Sequence, residues 1–158
     1  MKIQLKKLED TDKFAKIFAK KIKQTGAFVC LYGDIGVGKT TFTKSVAKYI
    51  GVEENVTSPS FVILNEYHSG ELPLYHFDLY RLETEGVKTI AQELDEYSIG
   101  KVLTFVEWAE FSNVELPKDR IEMRFKYIDE EEREVDVLAC SPKYEKILQE
   151  LKNEYTNL

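Results

Sequence analysis

Short apolar runs and amphipathic stretches divide the chain into predicted strands and helices. Residues 27–32 and 101–106 are largely apolar, which is typical of strands buried on both faces of a sheet. Helical spacing of apolar residues predicts one helix capped by Asp10 or Thr11, a second over 41–50, and a third that begins at Pro142.

Alternating segments predict two antiparallel hairpins as well. Residues 61–67 and 72–80 flank a turn at 68–71, and residues 120–128 and 133–140 flank an acidic turn at 129–132. Residues 2–8 predict a short edge strand, and residues 81–96 predict a helical segment that Gly86 interrupts. Strands alternating with helices indicate an α/β protein, and the hairpins predict a mixed sheet rather than a purely parallel one.

A glycine-rich loop joins the first buried strand to the second helix. Its residues are Gly33-Asp34-Ile35-Gly36-Val37-Gly38-Lys39-Thr40, a glycine and four residues followed by Gly-Lys-Thr. This spacing is that of a P-loop, in which glycines let consecutive backbone N–H groups face one anion. The lysine reaches the β- and γ-phosphates, and the hydroxyl after it can bind Mg²⁺. The strand before and the helix after the loop are the context that the motif requires.

Composition narrows the possible functions. The chain has 158 residues, 22 basic and 28 acidic, and a formal charge of −6, so a free-standing nucleic-acid binder is not expected. Cys30 and Cys140 have no metal-binding spacing and are interpreted as buried apolar residues. We expect a single domain over residues 1–158, without a membrane span or signal peptide, in the cytoplasm.

Two acids follow predicted strands at the sheet edge where α/β proteins bind ligands. Glu107 follows the strand 101–106, as a Walker B acid does, and Asp78 follows residues 74–77. A solvated carboxylate at a strand end is the alternative interpretation of each. His76 lies two residues before Asp78 on the same strand face and is interpreted as a buried or tyrosine-bonded histidine rather than a catalytic one.

Sequence features outside the glycine-rich loop bear on which nucleotide is bound and which reaction follows. The sequence has no Asn-Lys-x-Asp run, so guanine specificity is unsupported and ATP is expected. The chain has only four arginines, and of these Arg81 alone is close in sequence to a candidate acid. Kinases of small molecules or nucleotides neutralise the transferred phosphoryl group with several arginines, so a kinase is the less favoured alternative.

The order of these motifs resembles that of the TsaE family, small bacterial P-loop ATPases needed for the threonylcarbamoyladenosine modification of tRNA. The matching segments are residues 33–41, 57–61, 76–82 and 107–110, within a match that spans roughly 10–137. Many families share the P-loop. The His-Phe-Asp-Leu-Tyr-Arg run and the Glu-Trp pair are far more specific.

The resemblance implies a three-layer P-loop NTPase-like fold, with parallel core strands and flanking helices, that binds ATP or ADP with Mg²⁺. Thr40 and Glu107 would hold the metal, Asp78 would be needed for hydrolysis together with Glu107 and Lys39, and residues 57–61 would act as a nucleotide-sensing switch. The nucleotide-binding set would comprise Thr11, Gly33, Asp34, Ile35, Gly36, Val37, Gly38, Lys39, Thr40, Thr41 and Arg133.

The family's partners are the subunits TsaB and TsaD, which transfer the threonylcarbamoyl group to adenosine in tRNA. The resemblance therefore implies an ATPase that contacts tRNA only through these partners, which suits its acidic charge. The sequence has no obvious water-positioning glutamine or arginine finger, so we expect slow hydrolysis alone and faster hydrolysis with partners. A nucleotide-dependent binding module without useful hydrolysis is the third hypothesis, beside the ATPase and the kinase.

Overall fold

The computed structural model describes residues 1–34, 36–57, 59, 64–80, 94–112 and 116–156. Its strands are β1 (Lys2–Leu5), β2 (Ala27–Tyr32), β3 (Leu64–Tyr67), β4 (Leu74–Asp78), β5 (Leu103–Glu107), β6 (Ile121–Tyr127) and β7 (Arg133–Ala139). Its helices are α1 (Leu8–Ile22), α2 (Lys39–Tyr49) and α3 (Pro142–Thr156), and a short 3₁₀ helix covers Ala109–Ser112. No helix in the described ranges is long and apolar enough to cross a membrane.

The strands form one seven-stranded mixed sheet in the order β1-β7-β6-β2-β5-β4-β3. The four central strands β6, β2, β5 and β4 pair in parallel. Antiparallel pairs complete both sides, with β7 and β1 beyond β6, and β3 beyond β4. The predicted α/β fold, with parallel core strands, antiparallel hairpins and flanking helices, is confirmed.

The larger core lies between the sheet and the three helices. It combines apolar side chains of α1, α2 and α3 with those of one sheet face. Phe42 in the first turn of α2 is at its centre, because its ring lies 5.4 Å from Phe14, 5.9 Å from Phe105 and 5.8 Å from Phe125, centroid to centroid. These contacts press the start of α2 onto the sheet and so hold the end of the glycine-rich loop.

A smaller cluster covers the opposite face of the central strands. It contains Phe28 and Cys30 from β2, Phe77 from β4 and Val106 from β5, together with residues of the segments that follow β4 and β5. Cys30 is fully buried here, as predicted, and burial raises the pKa of its thiol to about 12. Cys140, also predicted to be buried, is only half-buried. Alternate residues of β2 thus serve two cores, which explains why the whole strand is apolar.

The predicted start of the first helix is wrong by a few residues. The helix begins at Leu8 rather than after Asp10 or Thr11. Asp10 lies at the third helical position, where its carboxylate accepts hydrogen bonds from the backbone N–H groups of Lys6 and Lys7 at 3.0 and 3.2 Å. The acid therefore satisfies the backbone just outside the helix from a position inside it.

The other predicted elements are present where the structure describes them, but several bounds differ by two or three residues. Strand β1 ends at Leu5 rather than at residue 8, α2 begins at Lys39 rather than at residue 41, and β5 begins at Leu103 rather than at residue 101. Strand β2 has the predicted bounds, both hairpins are present, β1 is an edge strand, and α3 begins at Pro142. Glu107 is the last residue of β5 rather than the residue after it. The helical segment predicted over 81–96 lies mostly outside the described residues, as do Arg81 and Gly86.

Substitution of Gly26 should test how closely the turn between α1 and β2 packs against Val102. Gly26 has φ +73°, and an added Cβ would lie 2.4 Å from the Val102 carbonyl oxygen. Gly100 offers a matched control, because it has φ +88° and open space around its Cβ position. We expect Gly100→Ala to cost about 1–2 kcal/mol of unfolding free energy for the left-handed backbone. Gly26→Ala should cost about 1–3 kcal/mol more for the clash. Urea unfolding would measure both, and equal losses would contradict this account.

Candidate functional site

The glycine-rich loop follows β2 at the carboxyl edge of the parallel strands. Gly33 is tightly packed, since an added Cβ would lie 2.7 Å from the Phe125 carbonyl oxygen and 2.8 Å from Val37 Cγ1. Among the described residues, and apart from the chain neighbours of each glycine, no atom lies within 4 Å of the Cβ positions of Gly36 and Gly38, whose φ values are +78° and +117°. The loop is therefore anchored at its start and leaves an open hollow over its second half. Ile35 lies outside the described residues.

Helix α2 begins directly after this hollow. Gly38 is its N-cap residue, and Lys39, Thr40 and Thr41 form its first turn. The first N–H groups of a helix have no partner within the helix and carry the positive end of its dipole, so they attract anions. Thr40 is half-buried and Thr41 is exposed. The end of the loop thus offers backbone donors and a hydroxyl to one space.

Lys39 is a buried cation at the centre of the site, with only 4% of its surface exposed. Its ammonium group donates a hydrogen bond to the Gly33 carbonyl oxygen and lies 3.9 Å from the centroid of the Trp108 ring. Burial lowers the pKa of Lys39, while the carboxylates of Glu107, Glu110, Asp78 and Asp34 oppose the shift. The lysine thus has acids around it and a carbonyl and an aromatic face in contact.

The two candidate acids are neighbours across the sheet. Strands β4 and β5 pair in parallel with Asp78 opposite Glu107, so both side chains leave the same face at the same level. Residues two positions earlier, His76 and Phe105, are also opposite each other and are buried on that face. Phe105 belongs to the core under α2, so the acids lie on the α2 side of the sheet.

Asp78 has the properties of a carboxylate that can accept a proton. Burial raises its pKa, and the negative charge of Glu107 adds to the shift. The Tyr80 backbone N–H, which donates to Asp78 Oδ1 at 3.0 Å, opposes the shift, as do His76 and Lys39. This backbone bond also fixes the direction of the carboxylate at the end of β4.

Glu107 is almost fully buried and is held by a side chain of the neighbouring strand. Its Oε2 lies 2.5 Å from His76 Nε2, and the two side chains are 4% and 0% exposed. The interpretation of His76 as a buried residue is confirmed. The residue that follows Glu107, Trp108, has φ +60°, a strained value for a bulky side chain. This turn directs the Trp108 ring toward Lys39, and Tyr80 packs against it at 5.1 Å.

A cavity of about 390 Å³ opens beside the loop. It lies between the loop, the start of α1 and the β6–β7 turn, and its lining includes Thr11, Gly36, Val37, Gly38, Thr41 and Arg133. Six of the eleven predicted nucleotide-binding residues therefore line one cavity, although they are far apart in the sequence. Gly33, Asp34, Lys39 and Thr40 are not among its lining residues. Leu8, which is 69% exposed, and Phe125 give the cavity apolar surface.

Arg133 connects the β6–β7 hairpin to the loop. Its Nε donates to the Val37 carbonyl oxygen at 3.0 Å, and its Nη1 donates to the carbonyl oxygens of Asp129 and Glu132 at 2.5 and 3.0 Å. The guanidinium also stacks on Tyr127 at 4.6 Å. Arg133 is therefore a support for the loop as well as part of the cavity wall.

The switch-like segment predicted at 57–61 is described only at Thr57 and Pro59. Two side chains of β3 hold Thr57. The Tyr67 hydroxyl accepts its backbone N–H at 3.3 Å, and Asn65 Nδ2 donates to its carbonyl oxygen at 3.4 Å. The start of this segment is thereby attached to the strand that pairs with β4.

The residues present fit a nucleoside triphosphate with Mg²⁺. The hollow at Gly36 and Gly38 has room for phosphate groups beside a buried lysine and a helix N-terminus. In the described residues, no three His, Cys, Asp or Glu side chains form a metal site by themselves. Mg²⁺ at phosphate sites needs only one or two protein ligands, because phosphate and water oxygens complete its shell.

Some residues of the site could not be read from the sequence. Lys7, Leu8, Glu130 and Glu131 line the cavity, yet they belong to a strand–helix connection and a polar turn with no motif. The pairing of His76 with Glu107 and the position of Trp108 over Lys39 depend on strand register. The His-Phe-Asp and Glu-Trp motifs marked the right segments but not these contacts.

The fold and the loop together define a P-loop nucleotide-binding protein of the α/β class. Residues 5–135 match the family described as threonylcarbamoyl adenosine biosynthesis protein TsaE. The chain belongs to this family, as its motifs predicted.

Similar proteins agree. A Bacillus subtilis protein named tRNA threonylcarbamoyladenosine biosynthesis protein TsaE is 41% identical over 143 residues, which cover 90% of this chain and 88% of the relative. A protein of the same name from Rickettsia bellii is 37% identical over 79% of this chain and 85% of its own length. The crystal structure of Bacillus subtilis YdiB matches with a TM-score of 0.79 and 34% identity, covering 98% of this chain and 95% of that one.

Removal of the Arg133 guanidinium should loosen the loop. We expect Arg133→Ala to weaken ADP binding by about tenfold, since roughly one charge-assisted hydrogen bond to the loop is lost. Arg124→Ala is the matched control, because Arg124 also stacks on a tyrosine, Tyr32 at 4.3 Å, but pairs with Glu122 rather than with the loop. Calorimetric titration with ADP would compare the two, and equal affinities would contradict a role for Arg133.

Proposed function

We propose that this protein binds ATP with Mg²⁺ and hydrolyses it in support of the threonylcarbamoyl modification of adenosine in tRNA. The main observation is the parallel register of β4 and β5, in which Asp78 lies beside Glu107. Both acids are on the face of the sheet that also carries the buried Lys39 and the open hollow of the loop. Family membership supports the biological context.

The phosphate chain would lie in the hollow over Gly36 and Gly38. The free N–H groups at the start of α2 would donate to its oxygens, and Lys39 would leave the Gly33 carbonyl and the Trp108 ring to pair with the β- and γ-phosphates. The cavity lined by Thr11 and Arg133 would take the nucleoside. Its apolar and polar surfaces suit a flat base attached to a sugar.

Thr40 and Glu107 would hold Mg²⁺. The metal, when bound, neutralises charge on the β- and γ-phosphates. Thr40 offers its hydroxyl from the first turn of α2, and Glu107 offers a carboxylate oxygen from the end of β5. Burial of Glu107 keeps water from competing for this carboxylate.

Asp78 would orient the attacking water. In hydrolysis the water oxygen bonds to the γ-phosphorus, the bond from that phosphorus to the bridging oxygen breaks, and ADP leaves. The water proton passes to the Asp78 carboxylate. A carboxylate with a raised pKa, fixed by the Tyr80 N–H, suits this position better than a fully solvated one.

Hydrolysis by the isolated protein would be slow, because the sequence supplies no obvious arginine finger or water-positioning glutamine. We propose that the partner subunits TsaB and TsaD complete the site and raise the rate, and that tRNA is contacted through them. The formal charge of −6 suits a subunit that leaves the polyanion to its partners.

ATP hydrolysis with and without TsaB and TsaD tests this proposal. We expect a slow basal rate that the partners increase at least several-fold, and loss of both rates in Asp78→Asn with ATP binding retained, because the amide cannot accept the proton. Asp119→Asn, on an exposed acid, should leave both rates unchanged. A hydrolysis rate that is the same with and without TsaB and TsaD would argue that this chain does not act in their complex. Transfer of the phosphoryl group to an added acceptor would favour the kinase alternative.

The metal assignment is tested by Thr40→Ala. We expect the variant to bind Mg²⁺–ATP at least about tenfold more weakly, because the loss of even an outer-shell partner of a metal typically weakens metal binding tenfold or more. In EDTA its affinity for ATP should change little. Thr40→Ser retains the hydroxyl and should behave like the unmodified protein. Fluorescent-nucleotide titration measures both conditions, and equal losses with and without Mg²⁺ would argue against Thr40 as a ligand.

A further inference from the structure

A fully buried histidine contacts the acid that the proposed function gives to the metal. His76 Nε2 and Glu107 Oε2 are 2.5 Å apart, and no solvent reaches the histidine. An ionised carboxylate can only accept a hydrogen bond, so Nε2 donates in this contact when Glu107 is ionised, as a metal ligand is. The bond fixes both the imidazole tautomer and the position of one carboxylate oxygen.

The backbone makes this contact reproducible. His76 is opposite Phe105 in the β4–β5 register, and Glu107 is two residues beyond Phe105 on the same face. The histidine therefore reaches diagonally from the middle of β4 to the last residue of β5. Both side chains are on regular strands rather than on a loop, which limits their freedom.

The surroundings of the other imidazole nitrogen, Nδ1, do not favour a role of His76 in proton relay. Nδ1 is buried and has no hydrogen-bond partner in the described part of the chain. A histidine that relays protons needs a second polar contact to pass them on. In the described residues the single polar contact of this ring is Glu107, so its effect is exerted through that carboxylate.

A buried carboxylate needs such a partner if it is to bind a metal. Without a donor, the carboxylate would turn toward water to be solvated, and this rotation would take it away from the metal. A hydrogen bond to one oxygen holds the group in place and leaves the other oxygen for the ion. Donors behind metal ligands commonly have this role.

We propose that His76 is a positioning residue that orients Glu107 to bind Mg²⁺ together with the nucleotide. This inference rests on the proposed function, because it requires Glu107 to be a metal ligand. It assigns no chemistry of its own to His76. Its prediction is specific: the loss of His76 should affect nucleotide binding only when Mg²⁺ is present.

The test compares His76→Gln with His76→Leu and His76→Asn. The glutamine amide can reach the place of Nε2 and donate to Glu107, whereas the asparagine amide is too short and leucine has no donor. Titration with a fluorescent, non-hydrolysable imido analogue of ATP would be done with Mg²⁺ and with EDTA. Thermal unfolding would show which variants fold, and the Gln–Asn comparison remains if the Leu variant does not.

Mg²⁺ should increase the affinity for the ATP analogue about tenfold less, or weaker still, in His76→Leu and His76→Asn than in the unmodified protein. Their affinity in EDTA should stay within about twofold of the unmodified protein. His76→Gln should show most of the normal increase in affinity with Mg²⁺. Equal losses with and without Mg²⁺ would indicate a structural role alone and overturn the inference. So would a full Mg²⁺ effect in all variants. If the unmodified protein shows no Mg²⁺ effect, the metal assignment in the proposed function itself has failed.

Discussion

The parallel pairing of β4 with β5 is the constraint on which the rest of the site depends. It places Asp78 opposite Glu107, and it brings His76 to within hydrogen-bonding distance of Glu107. Pairing of β5 with β2 then brings these acids beside the loop. A slip of one residue between β4 and β5 would turn Asp78 and His76 to the other sheet face, among the side chains around Phe28 and Cys30.

Charge balance explains how so many ionisable groups share a buried region. Lys39 is surrounded by the carboxylates of Asp34, Asp78, Glu107 and Glu110, and it contacts a carbonyl oxygen and an aromatic ring. These neighbours hold a cation whose pKa burial would otherwise lower further. The arrangement keeps the lysine near the acids, while the open hollow beyond Gly36 remains accessible to an anion.

The sequence predicted what depends on local pattern and less of what depends on register. The apolar run at 27–32 predicts only a buried strand, and the structure has β2 there. Asp10 indicated the start of a helix but not which residue begins it. The loop and both acids were predictable from strand ends, because the loop follows a strand and each acid is the last residue of one. The His76–Glu107 bond was not, since nothing local encodes how distant strands align. The cavity wall at Leu8 and Glu131 arises in the same way, from the folding of a hairpin against a helix.

The β1 edge of the sheet has a consequence for the behaviour of the protein in concentrated solution. The edge strand β1 is only four residues long. Long, flat, unpaired edges allow other chains to add as further strands and begin aggregation. Here the exposed positions of β1 are Lys2 and Gln4, and Lys2 lies 3.8 Å from Glu134 of the next strand. A short edge with polar outer side chains therefore makes it unfavourable for another chain to add a strand beside β1.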